Sequence, residues 1–382
     1  MIRKAISDLR ERGLDRWLRS YVRDYRKRQP CRSGVPVHLL LCIADHYEPR
    51  NGNASATVAR ARVESWREAY PRLFGQFQDS DGRPPQHTFF YPMEQYDPWD
   101  LDALACLCRR GWGEVEVHLH HDRDTAERLR AALLSYTQIL SDRHGLLARD
   151  RLTGEIKFGF VHGNWALANS RPDGRWCGVN NELDILREAG CYADFTLPSA
   201  PSPTQTSKIN SIYYACGDSC HAKSHDTGVD VGAGAPVPAR ALMLIQGPLV
   251  LDWGRRKWGV VPRVENACIQ GNQPATMRRL DLWLRARVQI PSRPDWFFVK
   301  LHTHGAPEAN QRVLLSDKMA HFHQGLADRS RSDPEFHVHY VTAREMYNLA
   351  RAAEAGWTGS VAEARDFCLQ RVLSVDRSHA VA

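Results

Sequence analysis

The stretch VHLLLCIADHYEP (37–49) holds an unbroken apolar run, Leu39 to Ala44, that stops at Asp45-His46. Six apolar residues between polar ends are too few for a core helix, and they suit a strand covered on both faces, as in a parallel sheet. Seven other stretches read the same way: QHTFFYPMEQ (86–95), EVEVHLHHD (114–122), IKFGFVHGN (156–164), YADFTLP (192–198), RALMLIQGPL (240–249), WFFVKLHTHG (296–305) and FHVHYVTARE (336–345). Helical patterns lie between many of them, at 97–111, 124–145, 180–190 and 275–288. Apolar strands alternating with helices imply parallel pairing through right-handed crossovers. The expected fold is therefore α/β: a seven- or eight-stranded (β/α) barrel, closed or incomplete, over residues 31–350. Residues 198–238, rich in Pro, Ser, Gly and Thr, and residues 252–274 are expected as long loop insertions, and 351–382 as a C-terminal helix and tail.

Barrels carry their reactive groups at the C-terminal ends of the strands, and the unusual residues of this chain stand there. The first strand ends in Asp45-His46. The third ends in His118-Leu119-His120-His121-Asp122, and the fourth in His162-Gly163-Asn164-Trp165. The seventh ends in His302-Thr303-His304. Alternate strand residues share a face, so His118 pairs with His120 and His302 with His304. Neutral imidazoles joined by a carboxylate suit one divalent ion, zinc first, with nickel, cobalt or manganese as alternatives. The expected ligands are Asp45, His46, His118, His120 and His121. His162, Asn164 and Trp165 are expected to contact substrate. Trp165, Trp176 and Tyr213 can stack on sugar rings or serve as packing residues. The pairs HFH (321–323) and HVH (337–339) lie away from strand ends and are expected to be exposed or structural.

The order of these motifs resembles the polysaccharide deacetylase superfamily over about residues 36–345. IADHYEP is similar to that family's opening T-F-D-D-G, HTFFYP to its next strand, and EVEVHLHHD to its H-S-x-x-H motif. RWCGVNNELDILREAG (175–190) is similar to the R-P-P-Y-G motif and the helix that follows, without the prolines, and FVKLHTHG to the last motif. The resemblance implies a metal-dependent hydrolase removing an N-acyl group, acetyl or formyl, from an amino sugar. It implies Asp45 as base or ligand, His46 in the metal-binding place, His118 as first metal histidine and His121 or Asp122 as the second. It makes Arg175 the residue orienting the base, and His302 or His304 the acid. Two alternatives stand beside it. A glycoside hydrolase needs two flanking carboxylates, for which Glu94 or Asp194 would have to join Asp45. A carbohydrate-binding homologue would have kept the fold and lost the reaction.

The net charge of +7 is concentrated in the first 30 residues, which carry about +6. The remainder is near neutral, which argues against a nucleic-acid surface. The basic N-terminal pattern (1–30), with Ile2, Ile6, Leu9, Trp17, Tyr21 and Tyr25 near one stripe, predicts an amphipathic helix. It either packs on its own domain or touches an anionic membrane surface through residues 1–28. Cys42 and Cys106 sit in apolar runs, and the Cys216–Cys220 spacing is looser than a zinc knuckle. These features predict a cytoplasmic protein, at the inner membrane surface if its sugar is lipid-linked, and otherwise acting on a nucleotide-linked sugar.

Overall fold

The parallel strands that the apolar runs predict all form. In the computed structural model, which describes residues 14–25, 34–232, 234 and 236–371, they are β1 (Val37–His46), β2 (His87–Pro92), β3 (Gly113–Leu119), β5 (Ile156–His162), β6 (Cys191–Asp194), β9 (Ala241–Ile245), β12 (Trp296–Thr303) and β13 (Phe336–Tyr340). Shorter pieces complete the set: β4 (Ala148–Asp150), β7 (Ile212–Cys216), β8 (Val229–Asp230), β10 (Val250–Lys257), β11 (Val261–Glu265) and β14 (Leu369–Arg371). The main sheet runs β12-β1-β2-β3-β5-β6-β9 in parallel, then turns antiparallel through β7 and β8. β13 pairs with the first half of β1, on the edge that β2 takes over further along.

Helices lie between the strands with the end signals the chain supplies. Thr125 caps the helix Ala126–His144, which stops at Gly145 in the left-handed conformation. Asp97 caps Pro98–Arg109, with Pro98 in the first turn. Ser55 caps Ala56–Phe74, a helix the periodicity did not single out.

The two faces of the sheet are distinct. Leu39, Leu41 and Ile43 of β1 pack with Trp66 and Phe74 of the helix layer. Leu40, Cys42 and Ala44 face the other way and join Phe90, Val161, Phe195, Met243 and Phe298 in a second core. The sheet is curled about this second core. Lys300 on β12 donates from Nζ to the Phe195 carbonyl beyond β6, although four strands separate β12 from β6 in the sheet.

The ladder itself stays open. Among the described residues no strand pairing joins β9 to β12. The free edge of β12 is occupied instead by residues 267–269, through Ile269 N to His302 O (2.8 Å) and His302 N to Ala267 O (3.1 Å). Gly247 is pressed against β12 so closely that a Cβ there would stand 2.4 Å from the Lys300 carbonyl.

Both expected loop insertions contain regular structure. Residues 252–274 include most of the β10–β11 hairpin, and 198–238 include β7, which extends the sheet by pairing with β9. The short apolar run IYYA (212–215), buried throughout, was the missed signal. The described part of the N-terminal helix, Leu14–Tyr25, buries Trp17 against Ala200, Ile209 and Leu249; residues 1–13 and 26–33 lie outside the described residues, as do 372–382. No helix among the described residues is long and apolar enough to cross a membrane.

Histidines off the strand ends are structural, with His321 exposed on its helix. His323 bonds the Tyr340 hydroxyl at 2.9 Å inside the core, while His38, His339 and Asp81 form a chain of 2.9 Å contacts at the N-terminal ends of the strands. Burial pushes His323 and His225 down to about 3, with the charge of Lys223 adding to the effect at His225. The unfolded chain therefore takes up protons first as pH falls. Stability from these neutral imidazoles is complete above about pH 6.5 and declines as pH falls toward their folded values. The thermal unfolding midpoint is expected to drop from about pH 6.5 downward; a midpoint level from about pH 6.5 to pH 5 would contradict this.

Candidate metal centre

Parallel strands bring their C-terminal ends to one side, so His46, His118, His162 and His302 must gather there. His46 and His118 join one cluster and His162 a second, while His302 lines a cavity beside them. The first is built around Glu48, two residues beyond the end of β1. Its Oε1 stands 3.4 Å from His118 Nε2, 3.6 Å from His120 Nε2 and 3.8 Å from His304 Nε2. The His46 ring packs on His304 (4.7 Å) and His118 (5.0 Å), and its donor atoms fall within ligand range of Glu48 and His118.

Hydrogen bonds on the far side of two rings fix which nitrogen carries the proton. His118 Nδ1 lies 3.0 Å from the Val161 carbonyl. A carbonyl only accepts, so Nδ1 must donate, and the neutral ring then presents a lone pair from Nε2. His120 Nδ1 lies 2.5 Å from Glu94 Oε1, with the same consequence. Two nitrogen lone pairs and a carboxylate oxygen thus point into one small volume, and they repel one another unless a cation sits between them. A carbonyl or carboxylate behind a ligating imidazole is the usual outer support of a metal site. The residues present fit a divalent ion: His46, Glu48 and His118 each offer a ligand atom within 4.8 Å of one another, and His120 and His304 stand beside Glu48.

Electrostatics follow from this packing. Burial lowers His46 well below its usual value, and the neighbouring His304 and His118 add to it. His302 is likewise held neutral by burial and by the charge of Lys300. Burial opposes charge on His120, but the Glu94 hydrogen bond, with the charges of Glu94 and Glu48, raises it overall.

Glycine makes this crowding possible. A Cβ at Gly163 would stand 2.4 Å from the His120 ring, so only glycine lets the β5 loop pass.

The expected residues divide as follows. His46, His118 and His120 meet, and His304 joins them. Asp45 does not. It lies on the opposite face of β1 with Leu41 and Ile43, wholly buried, bonded to His87 Nε2 (2.8 Å) and to the Gly305 amide (2.5 Å). Its position suits holding the 304–305 turn rather than ligation. His121 turns away into the second cluster, 3.1 Å from Glu182 Oε1. His162 is buried in that cluster as well, which removes it from contact with substrate; Cys177 is the remaining member. Arg175 is a surface residue paired with Asp173 and lying over Trp176, so nothing links it to Asp45. Asp122 accepts from the Trp176 amide. Asn164 touches His162 Nδ1 through its backbone N–H (3.3 Å). Trp165 lies against His46 and His304, 5.6 and 5.7 Å away.

A cavity of about 510 Å³ opens beside this centre. Trp165 and His302 line its inner part, with Pro198–Ser202, Lys257, Arg263 and Gln270 around it. His302 Nδ1 has no hydrogen-bond partner. The carboxylates a glycosidase would need are engaged elsewhere: Asp45 as above, Glu94 on His120, and Asp194, buried, on Thr196 2.7 Å away.

Glu48 escaped the sequence reading although it stands two residues after His46, where continued alternation would have put it on the same face. No family model matches this chain, and no characterised protein is found to be its relative.

Proposed function

We propose that this protein is a metal-dependent hydrolase that removes an N-acyl group from an amino sugar, built on an incomplete (β/α) barrel with its metal centre at the C-terminal strand ends. The observation that carries the reading is the convergence of the His118, His120 and His304 Nε2 atoms on Glu48 Oε1, with the first two rings locked as lone-pair donors. Zinc is the ion of choice for such nitrogen and oxygen donors, ahead of nickel, cobalt and manganese. When bound, the ion supplies Lewis-acid polarisation of the amide carbonyl and a more acidic water.

The protein groups supply the rest. His302 lines the cavity as a neutral imidazole, so it can take a proton from the attacking water and return it to the departing amine. Trp165 offers an aromatic wall beside the centre for a sugar ring. Asp45 acts at one remove, by fixing Gly305 and so the ring of His304. A Cβ at residue 305 would lie 2.0 Å from Asp45 Oδ2, which makes this contact dependent on glycine.

Lys257 and Arg263 at the cavity favour a substrate bearing phosphate, as a nucleotide-linked or lipid-linked sugar does. The β10–β11 hairpin beside it exposes Trp253 (55%) and Trp258 (78%) among Arg255, Arg256 and Lys257. Aromatic rings among cations suit the headgroup region of an anionic membrane and favour the lipid-linked form.

Acetate or formate release from a panel of N-acylated sugar nucleotides and polyprenyl-linked sugars tests the reading. Release that a chelator stops and added zinc restores is expected. Metal-replete protein that releases neither acid but binds the sugars would favour a carbohydrate-binding role instead.

A further inference from the structure

We infer that the second cluster, His121, His162, Cys177 and Glu182, is a separate structural metal site that closes the 163–181 loop onto the strand ends. Its four donor atoms lie within 4.8 Å of one another. His121 Nε2 is 3.1 Å and His162 Nε2 3.9 Å from Glu182 Oε1, and Cys177 Sγ is 3.4 Å from Glu182 Oε2. These are the separations between donors sharing one tetrahedral ion at 2.0–2.3 Å. Three of the four residues are fully buried and His121 nearly so, which makes this a closed set with no open position, unlike the centre around Glu48.

Three observations favour an ion over a set of hydrogen bonds. First, His162 Nε2 is buried without a partner. In the metal-free arrangement Nδ1 accepts the long 3.3 Å contact from Asn164 N–H, and the proton on Nε2 meets nothing. An ion on Nε2 requires the ring proton to move to Nδ1 and so gives up that long contact in exchange for a metal bond. Second, Asp124 Oδ2 stands 3.3 Å from His121 Nδ1, on the side where a carboxylate supports a ligating imidazole, although the two do not form a hydrogen bond. Glu182 is held through Oε2, which accepts from Ala168 N at 2.6 Å, and its Oε1 faces His121 and His162. A divalent ion with one thiolate and one carboxylate is also electrically neutral, as a buried site requires. Third, the loop carries four non-glycine residues in the left-handed region: Trp165 (φ 54°), Ala168 (49°), Asn169 (53°) and Trp176 (70°). Such backbone persists only where surrounding bonds over-determine it. An ion bound to Cys177, whose carbonyl also accepts from Asp124 N (2.9 Å), supplies that constraint. The site would thereby fix Trp165, the wall of the neighbouring centre.

The presence of a thiolate gives a test that does not depend on activity, because the Glu48 centre has no cysteine. Full-length protein is expected to hold two zinc equivalents. Cobalt-substituted protein should show a thiolate-to-cobalt charge-transfer band that Cys177→Ser abolishes and Glu48→Gln leaves intact. No such band in the wild type, or a band that survives Cys177→Ser, would overturn the inference. Should Cys177→Ser fail to fold, X-ray absorption of the zinc-loaded wild type decides: a sulfur at about 2.3 Å is expected, and a shell of nitrogen and oxygen alone refutes the site. One zinc lost only with Cys177→Ser would leave this site standing and remove the Glu48 centre; one lost only with Glu48→Gln would do the reverse.

Discussion

Glu48→Gln is expected to lose the ion at the His46/His118/His120/His304 centre and to lower deacylation by more than about 100-fold, because even groups one shell outside a metal cost 10–100-fold when removed. The substitution keeps the shape of the side chain and removes its charge. It also reverses the sense of the contacts. The amide can donate to the Nε2 lone pairs that face it, which the carboxylate cannot. The variant should therefore fold, and in chelator its thermal midpoint should equal or exceed that of the wild type. Metal analysis and acyl release, measured beside thermal unfolding with and without chelator, read the three effects separately. A variant that keeps full metal content would show that Glu48 is not a ligand. One that unfolds in chelator as well would mean the carboxylate serves stability, as a hydrogen-bonded cluster without metal would require.

The second large effect is expected at the other end of the strands. Arg344 is buried there and bonds Glu114 with Nε and Nη2 (3.1 and 2.9 Å), Leu369 O with Nη1 (3.0 Å), and Asp366. Glu114 is the second residue of β3 and Leu369 opens β14, so one guanidinium ties the start of the sheet to the C-terminal segment. Arg344→Met preserves much of the volume and leaves Glu114 as a buried charge with only Thr342 (3.0 Å) and the more distant Arg371 (3.5 Å) for partners. Removing one member of a buried pair costs about 3–5 kcal/mol, a large share of the roughly 5–15 kcal/mol that holds a typical domain. Denaturant unfolding should show that loss. Metal content measured under native conditions should stay unchanged, since the proposed metal centre lies at the opposite strand ends. A destabilisation below about 1 kcal/mol would mean that Glu114 takes up its proton or reaches water at little cost.

The sequence by itself determined the layers and the address of the chemistry. Eight apolar runs bounded by polar residues became the parallel strands, and Thr125, Asp97 and Gly145 marked helix ends, because these signals are local: burial on both faces, capping of free amides, a left-handed stop. Parallel pairing then forced the strand-end histidines to one side, whatever their partners. Strict alternation along β1 also separates Asp45 from His46, since Leu41 and Ile43 face the helices while Cys42 and Ala44 face the inner core. The likeness to an Asp-Asp motif masked that local fact.

Which imidazoles share a point was decided only by the tertiary structure. The ladder ends at His46 and Leu119, so beyond them the two-residue period no longer directs a side chain. His120 turns to Glu94 and Glu48, and His121 turns to Cys177 on a loop and Glu182 at the start of the helix after it, more than fifty residues further on. Carboxylate partners recruited across such distances carry no spacing that a reader of the chain can recognise. Their positions depend on how far the sheet curls, and that curl is set by packing of the inner core.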